Sequence, residues 1–331
     1  MDPDAYAAVH EAQWRRLEQL VRRRDLSGEE ADELIRLYQA TAGHLTQLRS
    51  KAPDPQLVSR LSVLLGQARG KVGGAHELRL ADLWRYFAVT VPAGFYRVRW
   101  WTVGVMIGFL AVAVVTGWWL ATNPGAMAQI GPPSQLESYA EEAFAAYYTN
   151  YPPPDFAAQV WTNNAWIAAQ SIGLGITGVF PVYVMIVNAV GVGQAGAIMA
   201  VYGDLGVFFG LILPHGLMEL TAIFVAGGTG LKLFWTAVSP GPRSRGAALA
   251  EEGRALITVV IGLVVVLGVS GLVEGFVTGS WLPTWAQITI GAVVLAGYWA
   301  WTLIWGRRAV QAGVLGDLDR DVAGHRLAEV G

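Results

Sequence analysis

A chain of 331 residues in which 53% are hydrophobic, only 15% are charged and 14 are tryptophan has more apolar surface than its charges could cover on a soluble globule. The absence of cysteine excludes disulfides and thiolate metal sites. Fifteen of the 23 Lys and Arg residues precede Trp100, where they alternate with acids instead of forming the basic stripe of a nucleic-acid interface. These features predict an all-α, polytopic membrane protein with a charged N-terminal region.

Residues 1–79 are predicted to form a cytoplasmic region of soluble helices, because their apolar residues recur near helical spacing. The apolar face of the first helix contains Val9, Trp14, Leu17, Leu20 and Val21. Ser27 followed by Glu30 forms a capping box, which starts a second helix. The apolar face of that helix contains Ile35, Leu37 and Leu45. A third helix is predicted over about 57–68.

The segment 80–100 mixes aromatic side chains with arginines just before an apolar run, which predicts an interfacial amphipathic helix. Residues 101–121 are uncharged, and about 20 such residues are enough to cross a hydrocarbon core of about 30 Å. They begin the predicted transmembrane domain, residues 101–306. The next segment, 122–164, contains no Lys or Arg and is predicted to be external, with one short helix around 134–148.

The apolar stretch 166–202 is too long for one crossing, because a single helix of that length would measure about 55 Å. It is predicted to form two short crossings, 164–179 and 181–202, joined by a tight turn. Two further crossings are predicted over 255–277 and 285–306.

Between the crossings 181–202 and 255–277 the sequence predicts a broken or re-entrant helix. Residues 205–213 are only a half-span before Pro214-His215-Gly216, and 217–235 supply another apolar length. Pro214 suits the first turn of a new helix, where its missing N–H is not needed. Irregular backbone at membrane depth must be buried in protein or line a wet cavity.

Six crossings with a cytoplasmic N-terminus place the basic residues on the cytoplasmic side, in agreement with the positive-inside rule. The loop 239–254 and the C-terminal tail 307–331 are then cytoplasmic, and the external intervals contain no basic residue. An alternative, in which 166–187 is one span and 188–202 is a surface helix, would place the basic loop outside.

His215 and Glu219 stand four residues apart and therefore share one face of a helix. An ionised glutamate in a membrane is costly, so Glu219 is expected to be paired, protonated or hydrated. Three roles are open for the pair: a hydrogen bond that packs helices, the handling of an ion or proton, and the binding of a partner or lipid headgroup.

A zinc site is a further alternative, because His215 and Glu219 could offer two ligands and Glu274 a third. The membrane region has only one histidine and no His-Glu-x-x-His motif. We therefore expect no metal, no cofactor and no catalytic residue, and an intramembrane metallo-enzyme is kept only as an alternative. Glu274 lies near the end of its span and is expected to be interfacial.

The sequence GVGQAG at 191–196 matches a dinucleotide-binding fingerprint by letter only, because that motif requires a strand before its glycines. Small residues in an apolar helix instead let helices pack closely in lipid. Asn188 is predicted to cross-bond helices or reach His215. Asn164 is predicted to cap the second span.

Four stretches carry a family resemblance: VWTNNAWIAA (160–169), FPVYVMIVNAVGVG (180–193), FFGLILPHGLMELTAIFVAGGTGLKL (208–233) and GLVEGFVT (271–278). With them the chain resembles the stage II sporulation protein M family, also described as a domain of unknown function. The resemblance covers roughly 80–306, and the basic N-terminal helices look like the longer, actinobacterial-type version. The candidate functional or packing residues are Asn164, Asn188, Pro214, His215, Gly216, Glu219 and Glu274.

The resemblance implies a scaffold of the cell envelope, since the sporulation member is similar to a membrane scaffold that recruits peptidoglycan-degrading enzymes. Non-sporulating relatives occur beside MoxR-type AAA ATPases and RDD membrane proteins. We therefore expect a non-enzymatic scaffold or subunit of a membrane complex, a homodimer or larger, in the cytoplasmic membrane, with lipids as partners and no nucleic acid. The alternative is a channel or transporter for an ion, lipid or small solute that uses His215 and Glu219.

Overall fold

The computed structural model of the chain describes the segments 2–23, 26–51, 54–72, 80–144, 146, 153–278 and 280–316. These described segments are almost entirely helical and contain no strand, which confirms the predicted all-α class. The chain divides into two compact units, Met1–Arg79 and Leu80–Gly331.

The first unit contains three helices: α1 (Pro3–Arg22), α2 (Gly28–Lys51) and α3 (Pro55–Val72). The predicted capping box at the start of α2 is confirmed. The Ser27 N–H donates to Glu30 Oε2 at 3.0 Å, and the Glu30 N–H donates to Ser27 Oγ at 3.3 Å. Two of the orphan donors that every helix start leaves are thereby satisfied.

The core of the first unit is built from one apolar stripe on each helix. It consists of Trp14, Leu17, Leu20, Leu34, Leu45, Leu48, Leu61, Leu64 and Ala68. The predicted faces were correct for Trp14 and Leu45, whereas Val9 and Ile35 are exposed and were placed wrongly. Spacing alone did not separate these two from the core, because both lie about one residue off the buried stripe.

The second unit is a larger helical bundle. Its α-helices are α4 (Leu80–Arg85), α5 (Val91–Thr122), α6 (Pro124–Met127), α7 (Pro133–Ser138), α8 (Pro153–Gly173), α9 (Val179–Tyr202), α10 (Leu205–Val238), α11 (Arg245–Val273), α12 (Thr284–Ala300) and α13 (Arg307–Gln311). Its π-helical segments are Tyr86–Thr90, Tyr139–Ala143, Glu274–Thr278 and Trp301–Gly306. The predicted external helix at 134–148 corresponds to α7 and Tyr139–Ala143, and its last residues lie mostly outside the described ones.

Five helices of the described chain are long and apolar enough to cross a membrane: Asp82–Thr122, Val179–Tyr202, Leu205–Val238, Arg245–Thr278 and Thr284–Gln311. The additional predicted crossing, 164–179, falls on the end of α8 and the turn after it. With 21 residues α8 is long enough to cross, but its polar side chains leave it outside the five. The predicted tight turn is confirmed as a 3₁₀ turn, Gly175–Thr177, followed by Gly178 at φ 69°.

The predicted broken helix at Pro214 is wrong, because α10 runs without interruption from Leu205 to Val238. Pro214 lacks the N–H that would bond the Gly210 carbonyl, but helices in membranes tolerate this when neighbouring elements pack against the proline. Here α12 packs against α10, and a Cβ atom on Gly291 would come within 3.0 Å of the Pro214 carbonyl oxygen. The contact with α12 supports the helix where local rules predicted a break.

The predicted interfacial helix at 80–100 is not a separate element. The helical run Asp82–Thr122 is continuous through it. Val91, Phe95 and Val98 are buried in the core of the bundle together with apolar residues of α11. These aromatic and apolar side chains therefore face another helix along that part of the segment.

Two spanning helices carry exposed tryptophans that are separated by about the thickness of a membrane. On α5, Trp100 and Trp119 are exposed, and the 19 residues between them correspond to about 28 Å of helix rise. Trp285 and Trp305, at the two ends of the last spanning helix, are exposed and about 30 Å apart. Both lengths match a hydrocarbon core of about 30 Å, whose interfaces tryptophan favours. The second unit therefore has the lipid-facing surface of an integral membrane protein.

Candidate functional site

Three helices bring the polar candidates together inside the membrane bundle. His215 and Glu219 share one face of α10, as their spacing predicted. Both α8 and α11 pack against α10. Helix α8 contributes Asn164, and the π-helical turn that follows α11 contributes Glu274. We call these four residues the polar cluster.

His215 lies at the centre of the polar cluster. Its side chain is 95% buried, and its Nε2 lies 3.6 Å from Glu274 Oε1. The other ring nitrogen, Nδ1, lies 3.1 Å from the Thr278 hydroxyl. The Ser270 hydroxyl donates to the His215 carbonyl at 3.1 Å. The contacts with Glu274 and Thr278 thus hold the imidazole of α10 against the π-helical turn that follows α11.

The side chain of Glu219 accepts a hydrogen bond from helix α8. The Asn164 amide donates to Glu219 Oε1 and also to the Val160 carbonyl, the latter at 3.1 Å. Asn164 was predicted to cap a helix, but it lies inside α8, where its side chain is buried and points to α10. A buried amide with two acceptors fixes the position of the carboxylate that it contacts.

Glu274 is buried in the bundle, and its expected position near the membrane interface stays a prediction. The residue is 2% exposed, because α8 and α10 both pack against the π-helical turn that carries it. One ligand atom each from His215, Glu219 and Glu274 lie within 4.8 Å of one another. Glu274 Oε2 is buried and has no hydrogen-bond partner among the described residues. π-Helical turns are frequent at functional sites.

The polar cluster lies far from any basic side chain in sequence. The intervals 100–231 and 255–306 contain no Lys or Arg at all. Lys232 is the closest basic residue to Glu219 along α10, at about 20 Å of helix rise, and it pairs with Glu252 instead. A buried carboxyl group, that of Glu274, and a partly buried one, that of Glu219, therefore share a site in which His215 is the basic group.

The remaining candidates have structural positions. Asn188 donates to the Val184 carbonyl one turn earlier in α9, and the structure does not place it in the polar cluster. Pro214 and Gly216 are buried on α10, one on each side of His215 in the chain. Gly193 lies against α5, where an added Cβ would come within 3.0 Å of the Ala113 carbonyl oxygen. Close helix packing at this glycine is as predicted.

Sequence reasoning missed Ser270 and Thr278, which contact His215. Together with Glu274 they recur every fourth residue along an otherwise apolar helix, and that spacing places all three on one face. The pattern is visible in the sequence and could have identified them.

A second set of charged residues, also missed, lies at the other end of the bundle. Glu252 pairs with Lys232 at 2.6 Å and with Arg97 at 3.3 Å. Glu251 pairs with Arg243 at 2.5 Å and with Arg97 at 3.8 Å. We call these five residues the ion-pair network. Lys232 was the visible signal, as the lone basic residue in the apolar interval 205–238.

Comparison with known proteins gives two matches to family models. A model described as "Stage II sporulation protein M" matches residues 106–279, which is more than half of the chain and includes the whole polar cluster. A model described as "Domain of unknown function (DUF8413)" matches residues 4–74. No curated protein and no solved structure matches the chain.

Proposed function

Because the chain belongs to the stage II sporulation protein M family, we propose that it is a non-enzymatic scaffold of a membrane complex in the cell envelope. The membrane bundle would anchor the complex, and the unit Met1–Arg79 would dock a partner. The chain is an integral membrane protein with five long apolar helices in its described part.

The observation that supports this proposal is that residues Met1–Arg79 form a compact unit separate from the membrane bundle. This unit has its own nine-residue core, its own family match over residues 4–74, and a surface covered by ion pairs such as Arg60–Glu11 and Arg16–Glu33. Each of its helices also exposes large apolar side chains: Val9 on α1, Ile35 on α2, and Val63 and Val72 on α3. A folded, charged module on a membrane anchor suits recruitment of another protein.

The orientation proposed is a cytoplasmic membrane with both termini inside. Arg97, Arg243 and Lys232 meet in the ion-pair network at one end of the bundle, and the positive-inside rule assigns that end to the cytoplasm. Labelling of single cysteines placed in the 239–244 loop and near Trp281 tests this orientation. A reagent that cannot cross the membrane should reach only the position near Trp281.

The scaffold proposal predicts specific crosslinks from the first unit. A photo-reactive residue at Val9, Ile35 or Val63 of the full chain in its native host should give a discrete crosslinked product, with exposed Gln39 as the control position. Partners suggested by the family resemblance are a MoxR-type ATPase, envelope enzymes or a second copy of the chain. A strictly monomeric particle in detergent, without any discrete product at the three positions, would contradict the scaffold.

A second candidate function is transport of an ion or small solute, and the polar cluster favours it. Ionisable residues inside a membrane domain often mark ion pathways. Transporters often place their binding sites at broken helices, but the predicted break at Pro214 does not support transport, because α10 is continuous. Liposome flux that is equal for the natural chain and for His215→Ala and Glu219→Gln variants would remove this candidate.

A further inference from the structure

We propose that His215, Glu219 and Glu274 bind one divalent transition-metal ion, such as Zn²⁺, inside the membrane bundle. The inference goes beyond the scaffold function and does not depend on it. It has a structural basis in four features: the spacing of the ligand atoms, the groups that orient them, the charge of the site and a buried oxygen without a partner.

The spacing of the ligand atoms is close to that of a metal site. One imidazole nitrogen and two carboxylate oxygens lie within 4.8 Å of one another. Zinc bonds of about 2.0–2.2 Å place tetrahedral ligand atoms roughly 3.4 Å apart, so rotations of the two Glu side chains would complete the set. Three protein ligands leave a fourth position for water.

Each of two ligands is oriented by a neighbouring polar group. Binding of a metal at His215 Nε2 requires the proton to be on Nδ1, and the Thr278 hydroxyl lies 3.1 Å from Nδ1, ready to accept it. The Asn164 amide donates to one oxygen of Glu219, which leaves the other oxygen for a metal. Metal sites in proteins use outer partners of this kind to fix tautomer and ring orientation.

The charge of the site calls for a cation. Two carboxylates within one membrane domain, one buried and one partly buried, are unfavourable unless they are neutralised. No Lys or Arg occurs in 100–231 or 255–306, the intervals that supply the ligands and most of their surroundings. A divalent cation would neutralise both carboxylates, whereas His215 alone could offset one at most.

The fourth feature is on Glu274, and it is the buried oxygen without a hydrogen-bond partner among the described residues. Glu274 is 2% exposed, and its Oε2 has no hydrogen-bond partner among the described residues although its Oε1 faces His215. Buried carboxylate oxygens are normally satisfied, and a bound ion is one of the explanations for an oxygen that is not. A metal bound beside His215 would satisfy it.

The donor set selects the class of metal. Imidazole favours zinc, iron, nickel or copper, and carboxylate oxygens accept all of these as well as manganese. Mg²⁺ demands octahedral oxygen ligands and keeps several waters, so a site with three protein ligands, one of them an imidazole, suits it poorly. We therefore expect Zn²⁺ to bind and Mg²⁺ not to compete.

The test uses the full chain, purified in detergent without a histidine tag, stripped with a chelator and titrated with Zn²⁺. We expect one bound Zn²⁺ per chain and a rise in the melting temperature. Glu274→Gln and Glu219→Gln each remove a ligand and should weaken binding by more than about 100-fold. Asn164→Ala and Thr278→Val remove outer partners and should weaken it by about 10–100-fold.

The controls separate this site from adventitious binding and from misfolding. Glu137→Gln, an exposed residue of the same unit, should leave Zn²⁺ binding unchanged. Metal-free Glu274→Gln should melt no lower than the metal-free natural chain, because it removes a buried charge without changing the shape of the side chain. Equal Zn²⁺ binding by His215→Ala/Glu219→Gln/Glu274→Gln and the natural chain would overturn the proposal, as would no binding by the natural chain.

Discussion

Glu252 is the residue on which the ion-pair network depends. Its side chain is 10% exposed and contacts both Lys232 and Arg97. Glu252→Gln would leave two cations short of a partner in a largely buried place, and breaking a buried pair costs about 3 kcal/mol or more. We expect a clear drop in the melting temperature of the detergent-solubilised protein.

Glu251→Gln is the matched control for that change. Glu251 pairs with Arg243, whose side chain is 46% exposed, and only at 3.8 Å with Arg97. Exposed ion pairs contribute about 1 kcal/mol or less. Equal destabilisation by the two neighbouring substitutions would show that burial of the pair is not what matters here.

At the same scale, the sequence placed His215 and Glu219 on one face of α10 and offered Glu274 as a possible third ligand, but it did not connect Asn164 with them. The four-residue spacing of His215 and Glu219 follows from helix geometry alone. Their contacts, Asn164 and Glu274, come from helices that are 55 residues away in each direction along the chain. Helical spacing carries no information about such partners, so the burial of Glu274 against α8 and α10 could not be predicted from it.

At the scale of helices, the close packing of α5 against α9 requires the glycine at position 193. An added Cβ at this position would come within 3.0 Å of the Ala113 carbonyl oxygen, whereas one at Gly191 would meet nothing within 4 Å. Gly193→Ala is expected to destabilise the bundle by about 1–3 kcal/mol through overpacking.

Gly191→Ala, two residues earlier on α9, provides the comparison. Alanine favours helix over glycine by up to about 1 kcal/mol, so this variant should be neutral or more stable. Thermal unfolding of both variants in the same detergent measures the difference. A Gly193→Ala protein as stable as Gly191→Ala would disprove close packing at this crossing.

Helix α10 shows where local rules reach their limit. Proline and glycine are both residues that interrupt helices, and their positions two residues apart in Pro214-His215-Gly216 predicted a break at Pro214. The helix continues because Gly291 allows α12 to come against the Pro214 carbonyl. A glycine 77 residues further along the chain cannot be connected with this proline from sequence spacing alone.

For the whole molecule, composition predicted more than local patterns did. The scarcity of charge after Trp100 and the uncharged apolar runs were enough to identify a helical membrane protein and most of its spans. Composition identifies the spans because every crossing must match the same bilayer thickness and be predominantly apolar. Part of α8 was predicted as a crossing although the helix is too polar to count among the five apolar spans, and its packing depends on side chains that the bundle buries.

The same molecule carries a soluble-type unit, Met1–Arg79, whose stability should depend on pH through His44. Its ring lies 3.9 Å from that of His10, and the Trp14 indole N–H donates to its Nδ1 at 3.2 Å. Burial, and secondly the nearby His10, lower the pKa of His44 below its ordinary value of 6.5. The folded unit therefore holds His44 neutral at pH values where the unfolded chain would protonate it.

The free energy of unfolding of this unit should thus be constant above about pH 7.5 and fall as the pH drops through 6.5. Hydrogen bonds lower the pKa of Glu11, Glu30 and Glu33 below 4.5, so their contribution is lost only in more acidic solution. Urea unfolding of a fragment of residues 1–79, followed by fluorescence of Trp14, its sole tryptophan, measures this between pH 7.5 and 5.5. His44→Gln, which keeps an acceptor for Trp14, should abolish the pH dependence, and an unchanged slope in that variant would show that another group titrates.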